Sequence, residues 1–447
     1  MFKTSYRYLG DVFQTLLYVG TLGYFLFYKI NVFKDRVFQI FIASIILQTI
    51  SWYNLYLLDP SYENELSLTW LGYLFVFFII GYWLKGNLTK INATMLAFII
   101  GTILTCLLHS KNIHSDYIKI TSGLRTDYHF MNANHSAALL ATSLILIMYI
   151  VSTFRLNIKY IILLLPLSSI TIFLLMGTQS RSAYVALLIP CSILFFYSLK
   201  KSKVNFVFSF IIILCTVGSF IYSSLPRLSS ETEVFQKKYE QSIEASSHNH
   251  EGLIQNKAEK LTNPTSKINN IFIADKTTDK TTDKTDALSP RNKATLILDN
   301  IDKDIPYTSI GLRFHFWIDT IKQSLFNPIF GLGNNANKYI LENSKHAVIY
   351  KKYNYQHLHS SYMELIASSG LVGVALLGYL YIYVFNISRR KAPNEIIIFS
   401  ICLYSFLIII NFFESYLFVK SGVLIHTLVL GVLYSYNFEG DIKNEAK

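Results

Sequence analysis

Apolar stretches long enough to cross a bilayer recur along almost the whole of this 447-residue chain. They fall near 10–28, 37–58, 68–84, 91–109, 134–153, 160–177, 182–199, 205–224, 361–385, 394–413 and 417–436. A membrane helix needs roughly 20 such residues. Inside lipid, the backbone polar groups of each span must be satisfied within it or by a closed barrel. The chain therefore reads as an all-α integral membrane protein, a polytopic bundle of about 11–12 transmembrane helices. Composition agrees: 52% of residues are hydrophobic and only 15% are charged, against about one quarter charged in an average soluble domain.

A net charge of +12 in a soluble protein would point to nucleic acid, but here its position decides the reading. The basic segments KINVFKDR (29–36), LKGNLTK (84–90), FRLNIK (154–159), LKKSK (199–203) and SRRK (388–391) occupy alternate connections between spans. Lysine and arginine concentrate in cytoplasmic loops, so these five are expected inside, together with the C-terminus. The N-terminus, the acidic DPSYENELS loop (59–67), the 110–133 loop, the 178–181 hairpin and residues 225–358 are then outside. Lys3 and Arg7 pull the N-terminus the other way. No small-residue cleavage site follows the first run, which is therefore expected to be a retained helix and not a signal peptide. Cys106, Cys191, Cys215 and Cys402 all lie in apolar segments, where buried packing is expected in place of a disulfide framework or a metal site.

The expected organisation is an N-terminal membrane bundle of about eight helices over 1–224, a large outer segment over 225–358, about three further spans over 359–437 and a cytoplasmic tail over 438–447. Within the outer segment, 229–292 is polar and carries the repeat DKTTDKTTDKTD (275–286). Such a composition cannot bury enough apolar surface to offset its ordering entropy, and predicts flexibility. Residues 307–340 read as helical. Phe314, Trp317, Ile318, Ile321 and Leu325 recur at helical spacing, giving an amphipathic helix that lies on the membrane or caps the bundle. NPIFGLGNNA then supplies a turn.

Few charged groups stand near the outer ends of the spans. Arg181, in the tight MGTQSRSAYV hairpin, and Arg313, in the outer amphipathic helix, are each either interfacial charges or ligands for an anion. His359 opens a membrane helix in YQHLHSSYMELIASSGLVG, as a capping or packing residue or as an acid–base group. His357 with His359, and His248 with His250, alternate, but no third or fourth ligand follows at a familiar spacing, so no metal site is expected there. The DKD triplet at 302–304 has the Asp-x-Asp form used by some metal-dependent sugar transferases, but in a solvated, charge-rich loop it reads as incidental.

The order of SRSAYVALL, GLRFHFWIDTIKQSLFNPIFGLGNNA, HLHSSYMELIASSGLVGVALLGYL and NFFESYLF resembles the O-antigen ligase and polymerase superfamily. Its members show an arginine-containing hairpin, an R…W…NPxxGxG loop and a histidine-led helix entrance. The resemblance implies a GT-C-like bundle with a periplasmic loop in the bacterial inner membrane. The implied reaction moves a glycan from undecaprenyl diphosphate to an acceptor hydroxyl on lipid A-core, with inversion and without a metal or cofactor. It also implies His359 as catalytic base and Arg181 and Arg313 as holders of the donor diphosphate. Arg125, Asn134, Ser360, Tyr362, Glu364 and Glu414 are possible supporting residues: Tyr362 and Glu364 to orient the imidazole or the acceptor, with Glu364 equally a residue that points into the bundle, Glu414 to pair with an arginine, and Asn134 to line the cavity or cap its helix. The implied partners are the lipid-linked donor, the acceptor and membrane lipids, with no nucleic acid. A polymerase extending the lipid-linked glycan and a protein O-oligosaccharyltransferase share this scaffold. From another class, a polysaccharide-lipid transporter would show inverted repeats and mid-membrane charges, and the sequence shows no clear repeat.

Overall fold

The computed structural model describes residues 7–62, 65–67, 69–154, 158–224 and 290–438. The expected flexible segment 229–292, apart from its last three residues, lies outside these, as do His248, His250 and the lysine-threonine-aspartate repeat. Among the described residues there are helices and no strands. In order they are α1 (Arg7–Phe27), α2 (Arg36–Leu58), α3 (Thr69–Leu74), α4 (Val76–Leu84), α5 (Leu88–His109), α6 (Ile113–Thr121), α7 (Ala133–Thr153), α8 (Ile158–Thr178), α9 (Arg181–Ser198) and α10 (Lys203–Ser224). The outer segment contributes α11 (Pro290–Lys303), α12 (Ser309–Ser324), α13 (Ala336–Glu342) and α14 (Ala347–Lys352). The chain then returns through α15 (Ser361–Lys391), α16 (Asn394–Phe413) and α17 (Lys420–Tyr434).

Every apolar run of the sequence lies on a helix, and among the described residues 8 helices are long and apolar enough to span a bilayer. The third run is divided at Phe75 into α3 and α4. At the centre stands α7, buried along almost its whole length and packed against α5, α8, α9, α16 and α17. Ala137, Ala138 and Ala141 are fully buried on it; small side chains let neighbouring backbones approach where lipid offers no hydrophobic drive to assembly. The larger of two core clusters among the described residues runs from Val37 to Tyr436, so the spans before and after the outer segment share one interior, and the smaller joins Leu55 and Ala367 to the outer segment. Cys106, Cys191 and Cys402 are buried as expected, but Cys215 is exposed on α10, a helix with only a third of its apolar window buried.

The basic loops gather at one end of the bundle. There Lys201 pairs with Glu395 at 3.3 Å, and Asn205 donates to the carbonyls of Val151 and Phe154. At the opposite end meet the 110–133 loop, the α8–α9 hairpin, the 414–419 turn and the outer segment.

A break in α15 seats the outer segment. Gly370 has φ +60° inside the helix, and the NPIFGLG loop between α12 and α13 enters the gap. Leu332 N and Gly333 N donate to the carbonyls of Ala367 and Ser368 (2.8 Å each), and Leu371 N and Val372 N donate to those of Pro328 and Ile329 (2.9 and 3.0 Å). The loop thereby satisfies backbone groups that the kink releases, as a broken membrane helix requires. Only glycine fits on either side. A Cβ on Gly331 (φ +71°) would lie 2.5 Å from Ser369 N, and one on Gly370 2.4 Å from the Ile329 carbonyl oxygen.

The buried face of α12 matches the expected apolar stripe at Ile318, with Trp317 and Leu325 half-buried, and departs from it elsewhere. Phe314 and Ile321 are exposed, whereas Leu312, His315, Phe316 and Asp319 face inward. Asp319 is held on that face by accepting from Tyr350 (2.7 Å) and Ser344 (2.5 Å), and His315 by its Nδ1 contact with Asp302, while His315 Nε2 has no hydrogen-bond partner among the described residues.

Candidate active site

His359 immediately precedes the N-cap of α15, Ser360, and adopts φ +51°. That conformation is uncommon for a non-glycine residue, costing of order 1–3 kcal/mol, and such residues cluster where function constrains the backbone. The ring lies between Phe316 of α12 and Tyr355, each with its centroid 5.6 Å away. Its Nδ1 donates to Glu414 Oε1 at 2.8 Å. The imidazole keeps 22% of its surface exposed, whereas Glu414 keeps 3%.

Glu414 ends α16 in an extended conformation. Its backbone carbonyl accepts from Ser361 N and Oγ (3.2 and 3.1 Å), which ties the ends of α15 and α16 together. Its carboxylate also accepts from Asn134 Nδ2 at 3.4 Å. Arg125 Nη2 donates to Asn134 Oδ1 (2.7 Å) and Arg125 Nε to the Thr178 carbonyl (3.1 Å). A chain of hydrogen bonds thus links the α8–α9 hairpin, through Arg125, Asn134 and Glu414, to His359. Burial alone would raise the Glu414 carboxyl, but the hydrogen bond and charge of His359, the charge of His135 and the Asn134 amide outweigh it and hold it down at about 2.

Arg313, half-buried on α12, brings its charge to the phenols of Tyr355 and Tyr416, and Arg125 also acts on Tyr416. Tyr416 in turn donates to the Asn134 carbonyl at 2.8 Å. Arg181 is the first residue of α9, three positions beyond the carbonyl that holds Arg125. His359, Glu414, Asn134, Arg125 and Arg313 are therefore neighbours at one end of the bundle, and Arg181 stands at the hairpin beside Arg125.

Glu414, Tyr362 and Asn134 take partners other than those expected, and Glu364 does not reach the imidazole of His359. Glu414 pairs with His359 and Asn134 instead of an arginine, because the end of α16 packs against the start of α15. Glu364 turns away from His359. Its Oε1 accepts from Ser415 Oγ (2.6 Å), Leu358 N (2.9 Å) and His357 Nδ1 (3.3 Å), and this contact raises His357 above the ordinary imidazole range. Tyr362 donates to the Ile408 carbonyl at 2.8 Å and braces α15 on α16. Asn132, not Asn134, caps α7, accepting from Asn134 N. Ser360 is buried at the N-cap of α15 without a side-chain capping bond.

A second cluster was not legible in sequence. Asp302, 2% exposed, is not a solvated loop residue. His315 Nδ1 contacts its Oδ1, while His346 Nε2 (3.0 Å) and Lys345 Nζ (2.5 Å) meet Oδ2, and Lys322 lies 3.6 Å away. Burial opposes its charge, yet Lys345, His346 and His315 hold its carboxyl well below the usual range. Asp304 of the same triplet is exposed. Asp302, His315 and His346 bring ligand atoms within 4.8 Å of one another, as a metal would require. The Lys345 ammonium already supplies a cation to that carboxylate, which makes the cluster a brace joining α11, α12 and the α13–α14 turn. His426, buried in α17 between Tyr381 and Asn411, also escaped the sequence reading. It connects through Asn411 Oδ1 to Ser361 Oγ and so to the turn that carries Glu414.

Fold and site together define a polytopic helical membrane protein whose loops assemble a histidine–carboxylate pair among arginines at one end. Residues 166–378, just under half of the chain, match the O-antigen ligase family, and this match supports the likeness to the O-antigen ligase and polymerase superfamily, glycosyltransferases of lipid-linked glycans. The match runs from mid α8 into α15. It includes Arg181, Arg313, His359, Ser360, Tyr362 and Glu364, and leaves Arg125, Asn134 and Glu414 outside. No curated protein matches the chain.

Proposed function

We propose that the protein transfers an O-antigen-type glycan from undecaprenyl diphosphate to a hydroxyl of lipid A-core, at the periplasmic face of the bacterial inner membrane. The observation that carries this reading is the 2.8 Å contact between His359 Nδ1 and Glu414. An ionised carboxylate only accepts hydrogen bonds, so Nδ1 carries the hydrogen and the Nε2 lone pair is left to take a proton. His359 acts as general base on the acceptor hydroxyl, and the Glu414 carboxylate steadies the imidazolium that forms. As the acceptor oxygen bonds to the anomeric carbon, the glycosyl–phosphate bond breaks on the opposite face. Configuration inverts, and the electron pair leaves with the lipid diphosphate. Negative charge grows on that leaving group, where Arg181 and Arg313 meet it with permanently charged, fork-shaped donors. They supply the charge that a divalent ion provides in other transferases, so transfer is expected to proceed in chelator.

The test is transfer from purified lipid-linked donor to rough lipopolysaccharide by wild type, His359→Ala, Arg181→Ala and Arg313→Ala at matched membrane levels, with and without chelator. Loss in all three variants and indifference to chelator support the mechanism. A wild type that lengthens the lipid-linked glycan and leaves lipid A-core untouched is a polymerase, and transfer only to a protein hydroxyl makes it an oligosaccharyltransferase. A fully active His359→Ala variant removes the base assignment.

A further inference from the structure

Beside His359, and separate from it, a cleft of about 840 Å³ opens between α13, α14 and the start of α15. Its wall is rich in carboxamides, with Asn334, Asn337, Asn354 and Gln356 among them. A carboxamide donates and accepts in one plane and so suits the vicinal hydroxyls of a sugar. Tyr355 lines the same cleft and packs edge-on against His359 at 5.6 Å; it is the partition between the cleft and the imidazole.

Glu364 also lines this cleft and is 3% exposed. All three of its protein hydrogen bonds fall on Oε1, so Oε2 takes none from the described residues. That second oxygen is not sealed in the interior, so it can accept a hydrogen bond from a ligand in the cleft. His357, also on the cleft, holds Glu364 in place through Nδ1. Ser415, which donates to Glu364, directly follows Glu414, the partner of His359. One turn thus connects two histidine–glutamate pairs, one at the reacting end and one in the cleft.

We propose that this cleft binds the saccharide portion of the acceptor, with Glu364 Oε2 accepting a hydrogen bond from a sugar hydroxyl and His357 as its positioning residue. The inference rests on the transferase reading above, and names where that reaction's hydroxyl-bearing substrate is held. The acceptor's reactive hydroxyl reaches His359 past the edge of Tyr355.

The test uses the full chain in lipid nanodiscs. The probe is the deacylated, lipid-free oligosaccharide of a rough lipopolysaccharide, with binding read by calorimetry and transfer followed at varied acceptor concentration. Glu364→Gln removes the anionic acceptor. Val348→Trp adds bulk into the cleft from a position that is 82% exposed and costs the fold little. Each is expected to weaken oligosaccharide binding and to raise the acceptor KM by about tenfold, with a far smaller change in kcat, the signature of lost ground-state binding. His359→Ala should do the reverse, losing kcat while still binding the free oligosaccharide. Unchanged binding and unchanged acceptor KM in both cleft variants overturn the proposal. If wild type binds the oligosaccharide, Val348→Trp does not, and no transfer occurs to any acceptor, the cleft stands and the transferase reading falls.

Discussion

His359 with Glu414 and His315 with Asp302 are the same chemical pair placed in two environments. At the mouth of α15 the carboxylate is buried and the imidazole is partly open, at 22% exposed. In the outer segment both partners are sealed, at 1% and 0%, and His346, Lys345 and Lys322 crowd the same carboxylate. A histidine–carboxylate pair can exchange a proton with a substrate only where the far nitrogen is accessible. Where nothing can enter, the pair joins helices. On the mechanism proposed above, exposure, more than pairing, separates the pair that reacts from the pair that braces.

Exchanging the two histidines' fates in experiment gives the largest effects. His359→Ala should lower transfer by about 10²–10⁴-fold, the usual share of a general base, with normal membrane levels in an immunoblot. His315→Ala should keep the specific activity of whatever folds. Transfer that survives His359→Ala but vanishes with His315→Ala would reverse the comparison.

Removing the anion from the sealed cluster leaves the buried His315 and His346 without their partner, and deleting one partner of a buried pair costs about 3–5 kcal/mol. Asp302→Ala should therefore lower the thermal midpoint and expose the outer segment to protease, measured by limited proteolysis in detergent. An unchanged digestion pattern would remove its bracing role. Gly370→Ala tests the seat of that segment in a different way: φ +60° costs a side-chain-bearing residue about 1–3 kcal/mol, and the new Cβ meets backbone. Reduced membrane level is expected.

Glu414→Gln keeps the shape of the open pair and removes its charge; transfer should fall less than in His359→Ala, and the pH dependence of stability should change. The Glu414 carboxyl lies at about 2 when folded against an ordinary value of 4.5. Its contribution is therefore present above pH 4.5 and disappears as pH falls through about 2. Thermal midpoints of wild type and Glu414→Gln should converge across that window, and parallel curves would show that the carboxylate gains nothing from its partners.

The smallest effect belongs to His357, which is raised above its ordinary 6.5 by Glu364. A raised imidazole stabilises the fold below its unfolded value, and loses that contribution as pH climbs through the folded one. The stability difference between wild type and Glu364→Gln should shrink from pH 5 to pH 9 in a thermal scan.

The membrane helices were legible because their signal is local: an apolar run of bilayer length has few other places to go. The entrance motif was legible too, since His359, Ser360 and the glycines of SGLVG lie within fifteen residues. Glu414 stood out as an acid at a helix end, but its partner did not, because 55 residues separate it from His359. Asp302, His315 and His346 are spaced by 13 and 31 positions and sit in an otherwise charge-rich segment. The signal available for α12 was a buried face mixing His315 and Asp319 with Leu312 and Phe316, which a search for an apolar stripe passes over.

By itself, the sequence determined that this chain spans a membrane many times, where its basic loops gather, and which histidine opens α15. These follow from hydrophobic length and from residues close together along the chain. Only the tertiary structure decided that Glu414 serves His359 while Glu364 serves His357, that Asp302 is buried among cations, and that NPIFGLG fills the break at Gly370. Each of those depends on a loop or helix end closing onto another across tens or hundreds of residues. The energy of such closure comes from burial and from mutual hydrogen bonding of groups whose separation in sequence carries no trace of their distance in space.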